Sequence, residues 1–117
     1  MRLRCKIWLE DDHRRKAFGD GPLDLLQRVQ RLGSLRRAAA EIRMSYSQAW
    51  HLVSRLEDAL GFPLLSRHSG GSKGGGSRLT TQAQELMARY GSFRMEAGEL
   101  LDELYATHLS SFPWSRA

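Results

Sequence analysis

Residues 34–61 contain two short helical patterns separated by a turn of about three residues, and this feature constrains the fold most. Ser34 and Ser45 are each suited to cap the helix that follows them. The apolar positions recur at helical spacing: Leu35, Ala38, Ala39 and Ile42 in the first pattern, and Ala49, Leu52, Val53, Leu56 and Leu60 in the second. Because the first helix carries small alanines, the second can cross it closely. The pattern predicts a helix-turn-helix, with an ordinary helical hairpin as the alternative.

The polar face of the second helix favours the helix-turn-helix. At about 100° per residue, the side chains that point away from the apolar stripe are Ser47, Gln48, His51, Ser54, Arg55 and Asp58. Such groups hydrogen-bond to base edges, and several lie near the helix N-terminus, where a recognition helix enters the major groove. A merely solvated face would carry more Glu and Lys. The residues that we predict to contact DNA from here are Ser45, Ser47, Gln48, His51 and Arg55.

A glycine-rich stretch, SRHSGGSKGGGSRLT, occupies residues 66–80 and fits a linker, a phosphate-binding loop or a hairpin tip. A linker would need a second self-sufficient domain, and the chain beyond residue 80 is too short for one. A phosphate loop needs Ser or Thr directly after its lysine, whereas Lys73 precedes Gly74. Strand-like patterns flank the glycines, so we interpret the stretch as a wing. Its cations, Arg67, Lys73 and Arg78, are predicted to contact the DNA backbone.

The N-terminal 33 residues are predicted to form a strand or hairpin followed by a helix. Residues 2–10 alternate apolar and polar side chains, which is the signature of a half-buried strand. The polar DDHRR that follows indicates a turn, and KAF indicates a short second strand. In GDGPLDLLQRVQRLG, Pro22 suits a first helical turn and Gly33 suits a helix end.

Residues 81–109 are predicted to form one long helix, capped by Thr80 or Thr81. Apolar residues recur along it with alternating spacings of three and four, a heptad pattern that buries its stripe against a partner helix. The predicted dimer seam consists of Leu86, Tyr90, Phe93, Ala97, Leu100 and Leu104. The alternative is packing along the chain's own domain, but such a helix would extend about 40 Å, as far as the domain itself or farther.

Composition and charge indicate a polyanionic partner and a reducing compartment. The 117 residues contain 18 Lys plus Arg against 13 Asp plus Glu, a formal charge of +5. Nucleic acid is therefore the first candidate partner. Cys5 is the only cysteine, which excludes an internal disulfide, and no apolar run reaches the length of a membrane span. We expect a cytoplasmic protein that makes no membrane contact.

The run GSLRRAAAEIRMSYSQAWHLVSRLEDALGFPLLSRHSGGSKGGGSRLTTQAQELMARY resembles the N-terminal DNA-binding domain of ModE-type molybdate-responsive regulators, which is related to the LysR-type domain. The resemblance implies a dimeric repressor or activator, with the third helix in the major groove and the wing on the backbone or minor groove. Two departures stand out. Arg43 occupies the turn, where the family usually has glycine, and the chain ends at Ala117, without the molybdate-binding modules that full-length members carry. We expect that it does not itself bind molybdate.

These observations predict a mainly α fold: a winged helix-turn-helix with an N-terminal strand or hairpin, a Gly-rich wing and a long C-terminal dimerisation helix. Residues 1–80 form the DNA-binding domain, 81–109 the dimerisation helix and 110–117 a flexible tail. The predicted function is that of a homodimeric, sequence-specific transcriptional regulator that binds double-stranded DNA. The alternative is a winged helix used as a protein-interaction module. No motif supports catalysis, a metal site or a cofactor.

Overall fold

The computed structural model describes residues 1–68 and 76–115. The elements follow in the order β1 (Trp8–Glu10), β2 (Lys16–Gly19), α1 (Asp20–Leu32), α2 (Leu35–Glu41), α3 (Tyr46–Leu60), β3 (Leu65–His68), β4 (Gly76–Leu79) and α4 (Thr81–His108). β1 pairs with β2 and β3 with β4, both antiparallel. Two helices, a turn, a third helix and a hairpin make a winged helix. The predicted fold class, with its N-terminal hairpin and long last helix, is confirmed.

The core lies between the first three helices, the first part of α4, β2 and the start of the wing. Its largest fully buried side chains are Phe18, Leu25, Leu26, Val29, Leu35, Val53, Leu56 and Leu64. The small residues Ala38, Ala39 and Ala49 are fully buried in the same cluster. Because these positions carry only a methyl group, α2 and α3 can approach closely, as the sequence predicted.

The wing is tied to the helices on both sides of it. The carboxylate of Glu57 on α3 accepts hydrogen bonds from the backbone N–H groups of Leu64 (2.6 Å) and Leu65 (3.3 Å). The hydroxyl of Thr80 donates to the Pro63 carbonyl (2.8 Å), and its backbone N–H donates to the Leu64 carbonyl (2.9 Å). The base of the hairpin is therefore held against α3 at one end and against the start of α4 at the other.

Gly33 joins α1 to the wing through a backbone conformation that favours glycine. It ends α1 with a φ of 71°, in the left-handed region, and its N–H donates to the Val29 carbonyl. The carbonyl of Gly33 then accepts a hydrogen bond from the Ser77 N–H on β4 (3.1 Å).

The prediction of a strand over residues 2–10 is wrong for all but its end, because only Trp8–Glu10 pair with β2. Residues 1–7, which we term the N-terminal segment, run along α4 instead. Three α4 side chains donate hydrogen bonds to its carbonyl groups: Tyr90 to Ile7 (3.2 Å), Arg94 to Cys5 (3.5 Å) and Tyr105 to Met1 (3.0 Å). Cys5 and Ile7 are half-buried while Arg4 and Lys6 are exposed. The alternation therefore reflects packing against a helix rather than membership of a sheet.

Asp20, Tyr90 and Arg94 link the start of α1 to the middle of α4. The Tyr90 hydroxyl donates to Asp20 Oδ1 (2.6 Å), and the Arg94 guanidinium donates to both Asp20 oxygens (3.2 Å). The hydrogen bond from Tyr90, followed by the bond from Arg94, lowers the pKa of Asp20 below its usual range. Burial and the neighbouring carboxylate raise the pKa of Tyr90 to about 12. We term these three residues the junction.

Beyond the junction, α4 projects away from the winged helix and the molecule is elongated, measuring 64 × 31 × 23 Å. The helix ends at His108. Residues 109–112 form turns, residues 113–115 are irregular, and the ring centroids of Phe112 and Trp114 lie 4.7 Å apart. The domain boundaries at residues 80 and 109, and a flexible tail over 110–117, stay predictions.

Replacing Tyr90 by Phe should destabilise the fold in a pH-dependent way. Loss of a hydrogen bond to a carboxylate should cost about 1–2 kcal/mol of unfolding free energy at neutral pH. Asp20 has a lowered pKa in the folded state, so its contribution is present above the unfolded value of about 3.9 and is lost as the pH falls through the folded value. The deficit of Tyr90→Phe should therefore narrow below about pH 4. Urea unfolding of the wild type and of Tyr90→Phe at several pH values between 7 and 3 measures this difference in unfolding free energy.

Tyr105→Phe is the matched control, because the Tyr105 hydroxyl donates to the neutral carbonyl of Met1. Its deficit should stay constant over the same pH range. A constant deficit for Tyr90→Phe as well would contradict the role assigned to the junction.

Candidate nucleic-acid interface

The turn between α2 and α3 fixes how α3 is presented. Ser34 caps α2 and accepts a hydrogen bond from the Arg37 N–H. The turn passes through Arg43, whose φ of 57° lies in the left-handed region that favours glycine. Met44 then donates its N–H to the Ala39 carbonyl (2.9 Å), which fastens the turn to α2. Arginine therefore adopts here a backbone conformation that glycine would adopt without strain, at a cost of about 1 kcal/mol.

A capping box begins α3 and involves two of the residues predicted to contact DNA. The Ser45 hydroxyl accepts from the Gln48 N–H (3.1 Å), and Gln48 Oε1 accepts from the Ser45 N–H (3.0 Å). The cap occupies Gln48 Oε1, and the amide nitrogen takes no part in it. The sequence predicted the serine cap, whereas the role of the glutamine was missed, although Ser followed three residues later by Gln is a known capping signature.

The remaining residues predicted on α3 share one exposed face. Ser47, His51 and Arg55 are all exposed, and the Ser47 hydroxyl lies 3.5 Å from His51 Nδ1. This face borders a depression of about 610 Å³ that extends to the turn. Its lining residues are Ile42, Arg43, Met44, Gln48, His51, Leu52 and Arg55. Arg43, which the sequence indicated only as a turn residue, thus joins the predicted face.

Arg43 and Arg55 differ from the two arginines of α1 in their ion pairing. On α1, Arg28 and Arg31 both bond to Glu41, and Arg31, followed by Arg28, lowers the pKa of that carboxyl. Among residues 1–68 and 76–115, Arg43 and Arg55 have no ion-pair partner. Unpaired guanidinium groups are available to bind phosphates or guanine edges.

Tyr46, at the start of α3, packs inward rather than toward the exposed face. It is half-buried against the core, and the guanidinium of Arg36 lies 4.2 Å from its ring centroid. The contact is a cation–π interaction that steadies the first turn of α3 against α2.

The structure describes the three predicted wing cations to different extents. Lys73 lies outside the described residues, and Arg67 is described only as a member of β3. Arg78 on β4 is exposed and lines a separate shallow depression with Gln30 on α1 and Gln84 on α4. The structure therefore does not bring Arg78 into the depression that α3 borders.

The predicted dimer seam on α4 divides into a buried part and an exposed part. Leu86 is half-buried and Tyr90 is buried against the chain's own core, in edge contact with Phe18. Phe93, Leu100 and Leu104 are 49%, 59% and 54% exposed. Phe93, Ala97 and Leu100 line an open groove with Ala88, Arg89, Ser92 and Glu96. An apolar row on a projecting helix is unusual for a surface that faces only water.

No helix in the described part of the chain is long and apolar enough to cross a membrane. Nor does that part contain three or more His, Cys, Asp or Glu side chains grouped so that they could hold a metal ion.

Comparison with known proteins identifies the family to which the helix-turn-helix belongs. Residues 22–84 match the family described as bacterial regulatory helix-turn-helix protein, lysR family. The chain belongs to this family. The matched range begins in α1 and ends in α4, so it contains α2, α3 and the whole wing. The helix-turn-helix is therefore the DNA-binding unit of a regulatory protein, which confirms the predicted DNA-binding class.

Similarity to individual proteins supports the ModE-type resemblance. The chain is 34% identical to the molybdenum transport protein ModE of Azotobacter vinelandii over 88 residues, 75% of this chain and 33% of that relative. It is 39% identical to the transcriptional regulator ModE of Haemophilus influenzae over 66 residues, 56% of this chain and 26% of the relative. It is 36% identical to the molybdenum-pterin-binding protein MopB of Rhodobacter capsulatus over 98 residues, 84% of this chain and 36% of the relative. The matches thus span about a third of the relatives' length or less.

Replacing Gln48 by Ala should remove half of the capping box and lower the unfolding free energy by about 0.5–1 kcal/mol. Gln48→Glu retains an oxygen acceptor for the Ser45 N–H, so its stability should stay close to that of the wild type. Chemical denaturation of both variants provides the comparison. Equal losses for Ala and Glu would show that the cap does not stabilise α3.

Proposed function

We propose that this chain is a homodimeric, sequence-specific transcriptional regulator that places α3 in the major groove and the wing on the DNA backbone or minor groove. The observation that carries the proposal is the exposed face of α3, on which Ser47, His51 and Arg55 lie together. Side chains of this kind provide the donors and acceptors that base edges require. The proposed setting is the cytoplasm, where a bacterial regulator meets the chromosome.

The proposed contacts divide by chemistry. Gln48 and His51 lie in the first half of α3 and are suited to base edges, with the Gln48 amide nitrogen as a donor to an acceptor base atom. Arg55 is suited to a phosphate or a guanine. Arg67, Lys73 and Arg78 of the wing would contact phosphates without reading sequence. Ser45 contributes by holding the start of α3 at the groove.

A winged helix that binds only protein is the second candidate function. The formal charge of +5 disfavours it, since excess positive charge suits a polyanion. Titration with random-sequence duplex DNA at two salt concentrations distinguishes the two functions. DNA binding through phosphates should weaken steeply as salt rises, and absence of binding at low salt would favour the protein-interaction module.

His51→Ala should weaken binding to duplexes enriched by selection more than binding to random duplexes. The expected loss is about 1–3 kcal/mol if the imidazole makes a base contact. His108→Ala is the matched control, because His108 is an exposed histidine at the far end of α4. Fluorescence anisotropy with both DNA pools gives the two affinities. If His51→Ala weakens the affinity for both DNA pools equally, His51 does not contribute to sequence recognition.

The proposed dimer rests on the exposed row of α4. Heptad spacing places Phe93, Ala97, Leu100 and Leu104 on one side of a helix that projects from its own domain. A second copy of α4 would cover this row symmetrically, as in most homodimers. Tyr90 is already buried within the protomer, so it is not free to contact a second copy. Its proposed role is to hold the ring of Phe93, which it contacts, in position at the dimer interface.

The double variant Phe93→Asp with Leu100→Asp should dissociate the dimer, because two like charges per protomer would be buried at the interface. Met95→Asp is the control: Met95 is 67% exposed and lies on the opposite side of α4. Sedimentation equilibrium should show a monomer for the double variant and a dimer for the control. A monomeric wild type would contradict the seam.

We also propose that residues 1–117 do not themselves bind molybdate. An oxyanion site needs several donors that converge in a closed pocket. The depressions beside α3 and α4 are open, and the one on α4 is lined mainly by apolar atoms.

A further inference from the structure

The turn between α2 and α3 holds Arg43 in a backbone conformation that disfavours a side chain. Its φ of 57° lies in the left-handed region, where a residue with a Cβ incurs a steric cost that glycine avoids. Backbone hydrogen bonds on both sides impose this conformation. The Arg43 N–H donates to the Ala40 carbonyl (3.2 Å). The next N–H, of Met44, donates to the Ala39 carbonyl (2.9 Å). Since the backbone sets the shape of the turn, stability alone would favour glycine at this position.

Within the described part of the chain, no polar contact accounts for an arginine here. Arg43 is exposed, and among residues 1–68 and 76–115 its guanidinium forms no ion pair. Glu41, the carboxylate nearest to it in the sequence, binds Arg28 and Arg31 of α1 instead. The positive charge of Arg43 is therefore available to a ligand.

Arg43 lies beside the face of α3 that we propose to read DNA. It lines the depression of about 610 Å³ together with three residues of α3, namely Gln48, His51 and Arg55. These three recur at spacings of three and four, so they share one side of the helix. The remaining lining residues are apolar, and none of the described residues that form this depression carries a negative charge. An anion that approaches α3 from this side therefore meets cations without an opposing carboxylate.

The position of Arg43 suits a phosphate rather than a base edge. When a helix lies in the major groove, the side chains on the helix itself are directed at the base edges. Arg43 belongs to the turn before the helix, where the chain meets the rim of the groove and the sugar–phosphate strand. A guanidinium can donate two parallel hydrogen bonds to one phosphate. Because backbone bonds fix the turn, the point from which this side chain extends is set before DNA binds.

We propose that Arg43 is a DNA-backbone contact that binds a phosphate at the rim of the major groove and so helps to fix the register of α3. This proposal rests on the proposed function and adds to it a contact outside both α3 and the wing. It also explains why a residue with a steric cost occupies the turn: the charge strengthens DNA binding, although the backbone would be more relaxed with glycine.

Arg43→Gly removes the guanidinium and the steric cost together, so it should weaken DNA binding without destabilising the fold. Affinity for a random-sequence duplex is measured from low to high salt. The slope of log K against log salt should become less steep by about 0.9 for each protomer bound. The melting temperature should not fall below that of the wild type. Arg4→Gln is the charge control, because Arg4 is exposed on the N-terminal segment that runs along α4, and it should keep the wild-type slope.

Two further variants separate the charge from the shape of the turn. Arg43→Lys retains the charge and should keep the wild-type slope. Arg43→Asn lacks the charge but tolerates a left-handed backbone, so its slope should fall as that of Arg43→Gly does. A wild-type slope for Arg43→Asn would show that the glycine variant acts by loosening the turn, and would overturn the contact. A lower melting temperature for Arg43→Gly would overturn it too, because arginine would then be the residue that the turn favours.

The type of contact is tested with the same variants on duplexes enriched by selection. A phosphate contact should give Arg43→Gly the same fold-loss of affinity on selected and random duplexes, whereas a larger loss on selected duplexes would overturn the phosphate assignment. A wild-type slope for Arg43→Gly, with intact DNA binding by the wild type, would overturn the contact and leave the proposed function standing. No salt-dependent DNA binding by the wild type would overturn both.

Discussion

Close packing of α2 on α3 is the constraint on which the rest of the structure depends. Ala38, Ala39 and Ala49 are completely buried, and a larger side chain at any of them would push α3 outward. Since the crossing is fixed, the side of α3 that faces away from it is fixed as well. The left-handed turn at Arg43 and the cap at Ser45 complete the geometry. The presentation of α3 therefore follows from core packing, supported locally by the turn at Arg43 and the cap at Ser45.

The same winged helix carries a second surface, the exposed apolar row on α4. The junction of Asp20, Tyr90 and Arg94 fixes the root of α4 to α1, and the N-terminal segment steadies the helix along its length. With one side of α4 occupied in this way, the neighbouring apolar row stays exposed. If a second copy covers that row, as we propose, the junction sets how the two recognition helices are oriented relative to each other. The charge network would thus link dimerisation to DNA binding.

Local patterns predicted the helices well because their signals lie within a few residues: Ser34 and Ser45 as caps, Gly33 as an end, and alanines at the crossing. The N-terminal strand was mostly wrong because alternation cannot distinguish a neighbouring strand from a neighbouring helix. Tyr90 was placed on the seam because the heptad pattern does not show that Asp20, 70 residues away, binds its hydroxyl. The packing of β2 against α3 was missed for the same reason, since nothing local places the N-terminal hairpin beside that helix.

The spacing of half-sites in DNA selected from a random library tests most directly whether the protein reads DNA as a symmetric dimer. Such a dimer, with one recognition helix per protomer, should enrich an inverted repeat whose half-sites are separated by whole helical turns, about 10–10.5 base pairs or a multiple. We predict that the wild-type protein enriches a repeat of this kind. A single asymmetric half-site, or no enriched sequence at all, would contradict the symmetric dimer.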